Sequence, residues 1–327
     1  MRWVAGLGVV LCFALGCGDD ESDMASGTSG SSGTGGLPTS DGSAGTVGTG
    51  GSSATSSGGS AGTPPRGCSG AWHEAPDALA AELNFSLSSP TLSPDELEMF
   101  YVEGVPAAQE YNFRHTTRSS KSAAFPAGDV VSEFDALCVS GQGRSIDLSR
   151  DGLTAYLGCH FPLAGDLNPL HVARRPQLGA KFVLDAQSYG MVGPSVAIAP
   201  DELVLYSSGQ IGTIDSPPPR RYTRSSTSAP FADPLPVPGL ESSGLITPEL
   251  SPDGLSIFGS ANLSLIVAER SGPDGAFAAP TTILPGTPNM LVLGAPEVAQ
   301  DCRSLYFVQN EPASGASFTS RIRVLTR

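Results

Sequence analysis

Five phrases decide the fold: LSPDELEMFY at 92–101, LSRDGLTAYL at 148–157, IAPDELVLYS at 198–207, LSPDGLSIFG at 250–259 and VAQDCRSLYF at 298–307. Their aligned acids, Asp95, Asp151, Asp201, Asp253 and Asp301, stand 56, 50, 52 and 48 residues apart. Three residues before each acid is an aliphatic side chain: Leu92, Leu148, Ile198, Leu250 and Val298. Five residues after it is an aromatic one: Phe100, Tyr156, Tyr206, Phe258 and Tyr306. The unit reads as strand, tight turn, strand, with a short carboxylate that accepts nearby backbone N–H groups. The five Asp residues are therefore read as turn builders, not catalysts. A period of about 50 residues in strand-like units points to a propeller.

Working outward, a third strand in each unit ends in a basic phrase that carries Arg118, Arg174, Arg224, Arg270 or Arg327. A fourth begins at Phe125, Phe182, Phe231 or Phe277, and the array reaches Arg327 before a fifth such strand. Residues 70–79, GAWHEAPDAL, carry the same phrase as GAFAAPTTIL at 275–284, with Trp72 in the aromatic place. The front of the domain is thus expected to complete the last blade and leave no open sheet edge. The sequence predicts an all-β, five-bladed β-propeller over 68–327, closed by an N-terminal strand and preceded by a disordered linker.

The repeated phrase resembles the WD40-like, TolB-like propeller repeats of bacterial envelope proteins, whose hallmark is Ser-Pro-Asp-Gly followed by an apolar strand. The resemblance covers about 260 residues and implies a fold more than a function, because propellers host binding, scaffolding and catalysis alike. TolB-type propellers usually have six blades, whereas five turn motifs are counted here.

Residues 1–17, MRWVAGLGVVLCFALGC, carry one Arg and an apolar run from Trp3 to Leu15. That run is too short for a permanent span and suits a signal peptide. Its end, Ala14-Leu15-Gly16-Cys17, resembles the lipobox of bacterial lipoproteins, which implies lipid attachment at Cys17. From Ala25 to Arg66, Gly, Ser and Thr make up 31 of 42 residues. Such a stretch cannot offset the entropy of ordering, so 18–67 is read as a flexible tether. The expectation is an exported, membrane-anchored lipoprotein that faces the periplasm or the cell surface.

The full chain has 18 basic and 32 acidic residues, a net charge of −14, which argues against a nucleic-acid partner. Cys68, Cys138, Cys159 and Cys302 remain once Cys12 and Cys17 are set aside. In an exported protein an even count suggests disulfides, with three connectivities open. The strand plan selects Cys138–Cys159, at one end of a hairpin, and Cys68–Cys302, which locks the closing strand to the last turn.

No Gly-x-Ser-x-Gly elbow, phosphate loop or dinucleotide fingerprint is present, and His73, His115, His160 and His171 are scattered. One constellation bears on chemistry. Four residues before each turn Asp stand Thr91, Asp147, Ala197, Glu249 and Glu297; six before stand Ser89, Ser145, Ser195, Thr247 and Ala295. By the period of two these share the face opposite the aliphatic positions and border the central channel. Asp147, Glu249 and Glu297 there would suit a hard cation such as Ca²⁺, or raise one another's pKa; a merely water-filled channel is the plainer outcome. The arginines that end the third strands would either ring an anion or snorkel over apolar edges and pair with acids. The sequence therefore reads as a lipid-anchored envelope module that binds an unknown protein or glycan partner. It leans away from an enzyme, with no catalytic residue assigned and no cofactor beyond that Ca²⁺. A glycosidase-like, carbohydrate-active enzyme that uses the channel carboxylates is the alternative.

Overall fold

Each of the five turns is built the same way. The backbone N–H groups of Leu97, Leu153, Leu203, Leu255 and Arg303 donate to the Oδ1 of their turn Asp at 2.9–3.0 Å. The residue after that Asp is left-handed in every case: Glu96, Gly152, Glu202, Gly254 and Cys302 have φ between +57° and +70°. Glycine meets this demand without strain, which explains the Asp-Gly form of two turns. Where Ser opens the turn, its hydroxyl donates to the same Asp oxygen and accepts the N–H five residues on, as Ser149 does with Asp151 and Thr154.

The computed structural model describes residues 68, 70–79, 86–105, 110–138, 143–160, 168–187, 189–193, 195–208, 218–286, 291–292, 294, 296–312 and 318–327. Residues 1–67, with the lipobox, Cys17 and the tether, lie outside the described residues, as does Ala295.

The described strands form five antiparallel sheets. Blade 1 runs through Ser86–Leu92, Glu98–Val105, Glu110–Thr117 and Asp129–Val130. Blade 2 runs through Gly143–Leu148, Thr154–His160 and Asn168–Arg174, with its outer position shared by Val183–Leu184 and Met191–Val192. Blade 3 comprises Ala197–Ile198, Val204–Ser207, Arg220–Thr223 and Leu235–Pro236. Blade 4 comprises Ile246–Leu250, Ser256–Ala261, Ser264–Glu269 and Thr281–Leu284. Blade 5 joins Glu297–Val298 and Leu291–Val292 to Ser304–Pro312, then Phe318–Thr326, and last His73–Ala75 from the front of the domain.

That last pairing closes the ring. His73 faces Thr326, Glu74 faces Leu325 and Ala75 faces Val324 in antiparallel register. A three-residue strand supplies few ladder bonds, so other contacts reinforce it. Ala78 N donates to Ile322 O at 2.9 Å, Arg323 lies 3.1 Å from Asp77, and the Arg327 guanidinium sits 5.6 Å from the Trp72 ring centre. Cys68 is bonded to Cys302, and Cys138 to Cys159. Disulfides of this kind belong to oxidising compartments, which places the folded domain outside the cytoplasm. No helix among the described residues is long and apolar enough to cross a membrane.

Burial follows the seams between blades. Phe100, Phe113, Ile146 and Leu148 fill the seam of blades 1 and 2, and Tyr156, Val172, Ile198 and Tyr222 that of blades 2 and 3. Tyr206, Leu250, Ile257 and Phe277 fill the next, and Phe258, Leu305, Phe307 and Cys68 the one after. Leu92, Met99, Tyr306 and Ile322 close the circle between blades 5 and 1. The aliphatic and aromatic positions of the repeat are therefore the two faces that stack one blade on the next.

Candidate functional site

The innermost strands carry the site. At three of the five positions that stand four residues before a turn Asp, the side chain reaches across to the next blade. Leu92 N donates to Glu297 Oε1 at 3.1 Å, Leu148 N to Thr91 Oγ1 at 3.2 Å, and Ile198 N to Asp147 Oδ2 at 2.6 Å. These N–H groups lie at the inner edge of each sheet and have no strand beyond them, so a polar side chain from the neighbouring blade satisfies them. A hydroxyl suffices, as Thr91 shows. Ala197 breaks the pattern, because it offers no acceptor to blade 4.

Three of the five positions are nevertheless acidic. One carboxylate oxygen from each of Asp147, Glu249 and Glu297 lies within 4.8 Å of the other two. Asp147 and Glu297 are buried and Glu249 is half-buried. The three come from blades 2, 4 and 5, so the ring itself gathers them. They border a cavity of about 30 Å³ that opens between the turns, past Arg150, Pro200, Pro252 and Gln300.

Burial decides the electrostatics. It pushes Asp147 from 3.8 up to about 7, against the opposing pull of the Ile198 and Leu148 N–H groups and the Thr91 hydroxyl. Glu249 is raised well above its usual range, first by burial and then by the charges of Asp147 and Glu297. Glu297 is raised as well, by burial and then by Asp147, with the Leu92 N–H opposing. Without a cation the cluster therefore retains protons at neutral pH. With one, the three carboxylates would supply the oxygen-only donors that a hard ion such as Ca²⁺ prefers.

Further along the inner strands a run of buried hydroxyls bonds within and between blades 3 and 4. Ser195 Oγ and Ser208 Oγ are 2.8 Å apart, Thr247 N donates to Ser208 Oγ at 3.0 Å, and Thr247 Oγ1 lies 3.1 Å from Ser260 Oγ. Ser145 faces Gly158 across its ladder, and its buried Oγ finds no partner among the described residues. The period of two holds in blade 2, where the register is unbroken from Gly143 to Leu148. In blades 1 and 4 it does not. A one-residue bulge interrupts the ladder between Ser88 and Thr91 and between Ile246 and Glu249, with Ser89 and Thr247 at φ +48° and +50°. Pro90 and Pro248 stand at these bulges, where a residue without an N–H is tolerated.

The arginines do not ring the channel. Arg118, Arg224 and Arg270 each donate through Nε to the carbonyl of the left-handed residue in their own turn, at 2.7–2.8 Å. Their guanidinium groups lie 4.3–4.7 Å from the ring centres of Phe125, Phe231 and Phe277. Their terminal nitrogens reach the Tyr306, Tyr156 and Tyr206 hydroxyls of the preceding blade. In blade 2 this part is taken by Arg175, not Arg174: Arg175 Nε donates to Gly152 O at 2.8 Å and covers Phe182 at 4.7 Å. Arg174 is more exposed and bonds Thr154 Oγ1 and Thr227 O. The signal that separates the two is the spacing to the aromatic, seven residues in 118/125, 175/182, 224/231 and 270/277. The aromatics therefore serve as beds for the arginines, ahead of outer strands that begin after them.

Fold and site together define a five-bladed β-propeller with carboxylates gathered at its axis. No known family matches the chain, and no curated protein matches it in sequence. Among solved structures it is similar to TolB from Acinetobacter baumannii, at 12% identity over 73% of this chain and 54% of that one, with a TM-score of 0.41. It is also similar to a gluconolactonase from Xanthomonas campestris, at 13% identity over 76% and 87% with a TM-score of 0.39. A periplasmic gluconolactonase of Pseudomonas aeruginosa gives 16%, 72%, 71% and 0.37. The chain spans about half the length of the TolB structure.

Proposed function

We propose that this chain is an exported binding module, held at a membrane through a lipid on Cys17 and displayed on residues 18–67, whose axial carboxylates hold a hard divalent cation such as Ca²⁺. The observation that carries the cation is the meeting of Asp147, Glu249 and Glu297 within 4.8 Å, with no basic side chain among the ligands. A role confined to satisfying inner N–H groups needs no charge, and three clustered acids, two of them buried, cost stability that a bound ion would return. The exposed turn acids Asp95, Asp151, Asp201 and Asp301 crowd the same end of the ring and would concentrate cations there. In this reading the ion fixes the blades, and the faces of the propeller meet a protein or glycan partner.

The carbohydrate-active alternative is disfavoured by room. The acids are close enough to act together, but their cavity of about 30 Å³ holds a water-sized guest. Pockets for organic ligands run to about 300–1,000 Å³. The test is thermal melting of chelator-treated protein with Ca²⁺ added back. At a hundredfold excess over Kd a single site adds about 2.7 kcal/mol, a shift of about 5–10 °C for a domain of this size. The shift should vanish in Glu249→Gln. No shift with any divalent cation would remove the proposal.

A further inference from the structure

The seam of blades 4 and 5 widens at its outer end into a groove of about 460 Å³, within the range of about 300–1,000 Å³ that holds organic ligands. Inside the seam Val267 packs with Leu305 and Phe307, while Trp72 and Ile283 are only half-buried. Val267, Trp72 and Ile283 all line the groove, and Glu269 is the one charged residue among its lining residues. Val267 and Glu269 stand two apart on Ser264–Glu269, so both belong to the face of blade 4 that packs on blade 5. Glu269 is exposed and has no ion pair among the described residues.

One wall of this groove is a strand edge open to pairing. Thr281–Leu284 is the longest outer strand among the described residues, and it bonds only to Ser264–Glu269 on its inner side. The other outer strands are blunted by length or by chemistry, as sheet edges usually are. His73–Ala75 and Asp129–Val130 carry a charge, Leu235–Pro236 a proline, and Val183–Leu184 is two residues long. Thr281-Thr282-Ile283-Leu284 has neither charge nor proline. A register shift falls beside Ile283, but Thr281 and Thr282 keep the regular ladder, and both are exposed and line the groove. An edge of this kind recognises main-chain N–H and C=O groups, so the guest it fits is an extended peptide. Charge complementarity then sets the guest's side chains. Glu269 asks for a basic one, and Trp72 for an apolar one, because the Arg327 guanidinium already lies 5.6 Å from the indole centre. Residues two apart in an extended chain fall on the same side of it and can meet both.

We propose that this rim captures an extended segment of a partner protein, added as a strand beside Thr281 and Thr282. A basic side chain of the guest sits on Glu269, and an apolar one two residues away packs against Trp72, Val267 and Ile283. The assignment rests on the reading of the domain as a binding module, but on neither the axial cation nor a lipid at Cys17.

Trp72 reports the contact in a Trp3→Phe background, where it is the sole indole. The probe is the peptide acetyl-Val-Ser-Lys-Ser-Val-amide, which puts both valines and the lysine on one side of an extended chain. Titrated into the full chain in chelator at low salt, it should shift Trp72 emission saturably. Glu269→Gln should raise the Kd about threefold, as loss of an exposed ion pair does, with the melting temperature unchanged. Added NaCl should bring the native chain towards the variant. The same probe N-methylated at every residue should bind at least about tenfold more weakly, because its main-chain bonds are lost. No shift at millimolar probe, or equal Kd values for the plain and N-methylated probes, would overturn the assignment and leave the cation reading standing. So would native affinity in Glu269→Gln, or a Trp72 shift with chitohexaose in place of the peptide, which would give the groove to a glycan.

Discussion

Replacing Asp147 by asparagine in the cation-free protein should change how stability follows pH. Burial lifts the Asp147 carboxyl to about 7 in the folded chain, against about 3.9 when unfolded. Between those values the native state binds a proton that the unfolded chain lacks. A raised native pKa contributes stability that is fully present below pH 4 and lost as pH climbs to 7. A full unit of pH is worth about 1.4 kcal/mol, and the slope halves near pH 7 as the native group itself ionises, so the step from pH 5 to 7 removes about 2 kcal/mol. For a domain of this size that lowers the melting temperature by about 4–9 °C. Glu249 and Glu297, raised by burial and by their neighbours, act in the same direction. The amide that Asp147→Asn introduces keeps an oxygen for the Ile198 N–H but cannot ionise, so this variant should lose close to one proton's worth of slope. Calorimetric melts in chelator at half-unit pH steps make the measurement. A native protein as stable at pH 7 as at pH 5, or a variant with the native slope, would refute the buried-cluster reasoning.

The other expectations follow from the ring and its bolts. Cys68 and Cys302 are 234 residues apart and Cys138 and Cys159 only 21, so by chain entropy removing the first pair should cost about 5 kcal/mol and removing the second about 3; urea unfolding of the two double-alanine variants gives the comparison. Arg175→Ala strands Glu98, to which it is paired at 2.6 Å, and should cost about 3–5 kcal/mol. Arg174→Ala should stay within about 1 kcal/mol, as exposed pairs do; equal costs at both positions would contradict the seven-residue rule. Phe258→Ala opens the seam beneath Trp72 and should cost about 3–5 kcal/mol, read by the same unfolding curves.

Much of this molecule is legible in its primary structure because a propeller repeats a local unit. Asp95 and its four counterparts recur with an aliphatic residue before and an aromatic one after, and those offsets alone imply two strands and a turn. The place of Trp72 in GAWHEAPDAL was enough to send the front of the domain to the last blade. Sequence offsets were misleading where one residue shifts the geometry. Arg174 and Arg175 are neighbours in the chain, yet only the second comes under its turn. At Ser89 and Thr247 a bulge cancels the alternation that would put them on the face of Thr91 and Glu249.

Alternation along each inner strand was sufficient to show that Asp147, Glu249 and Glu297 face the axis. It says nothing of how far apart they are, because that distance belongs to the curvature of the whole ring and to the tilt of strands far apart in the chain. Only the closed tertiary structure brings the three within 4.8 Å and leaves about 30 Å³ between the turns. Side-chain direction is a local property of the backbone, whereas separation across the axis is set by five seams packing at once.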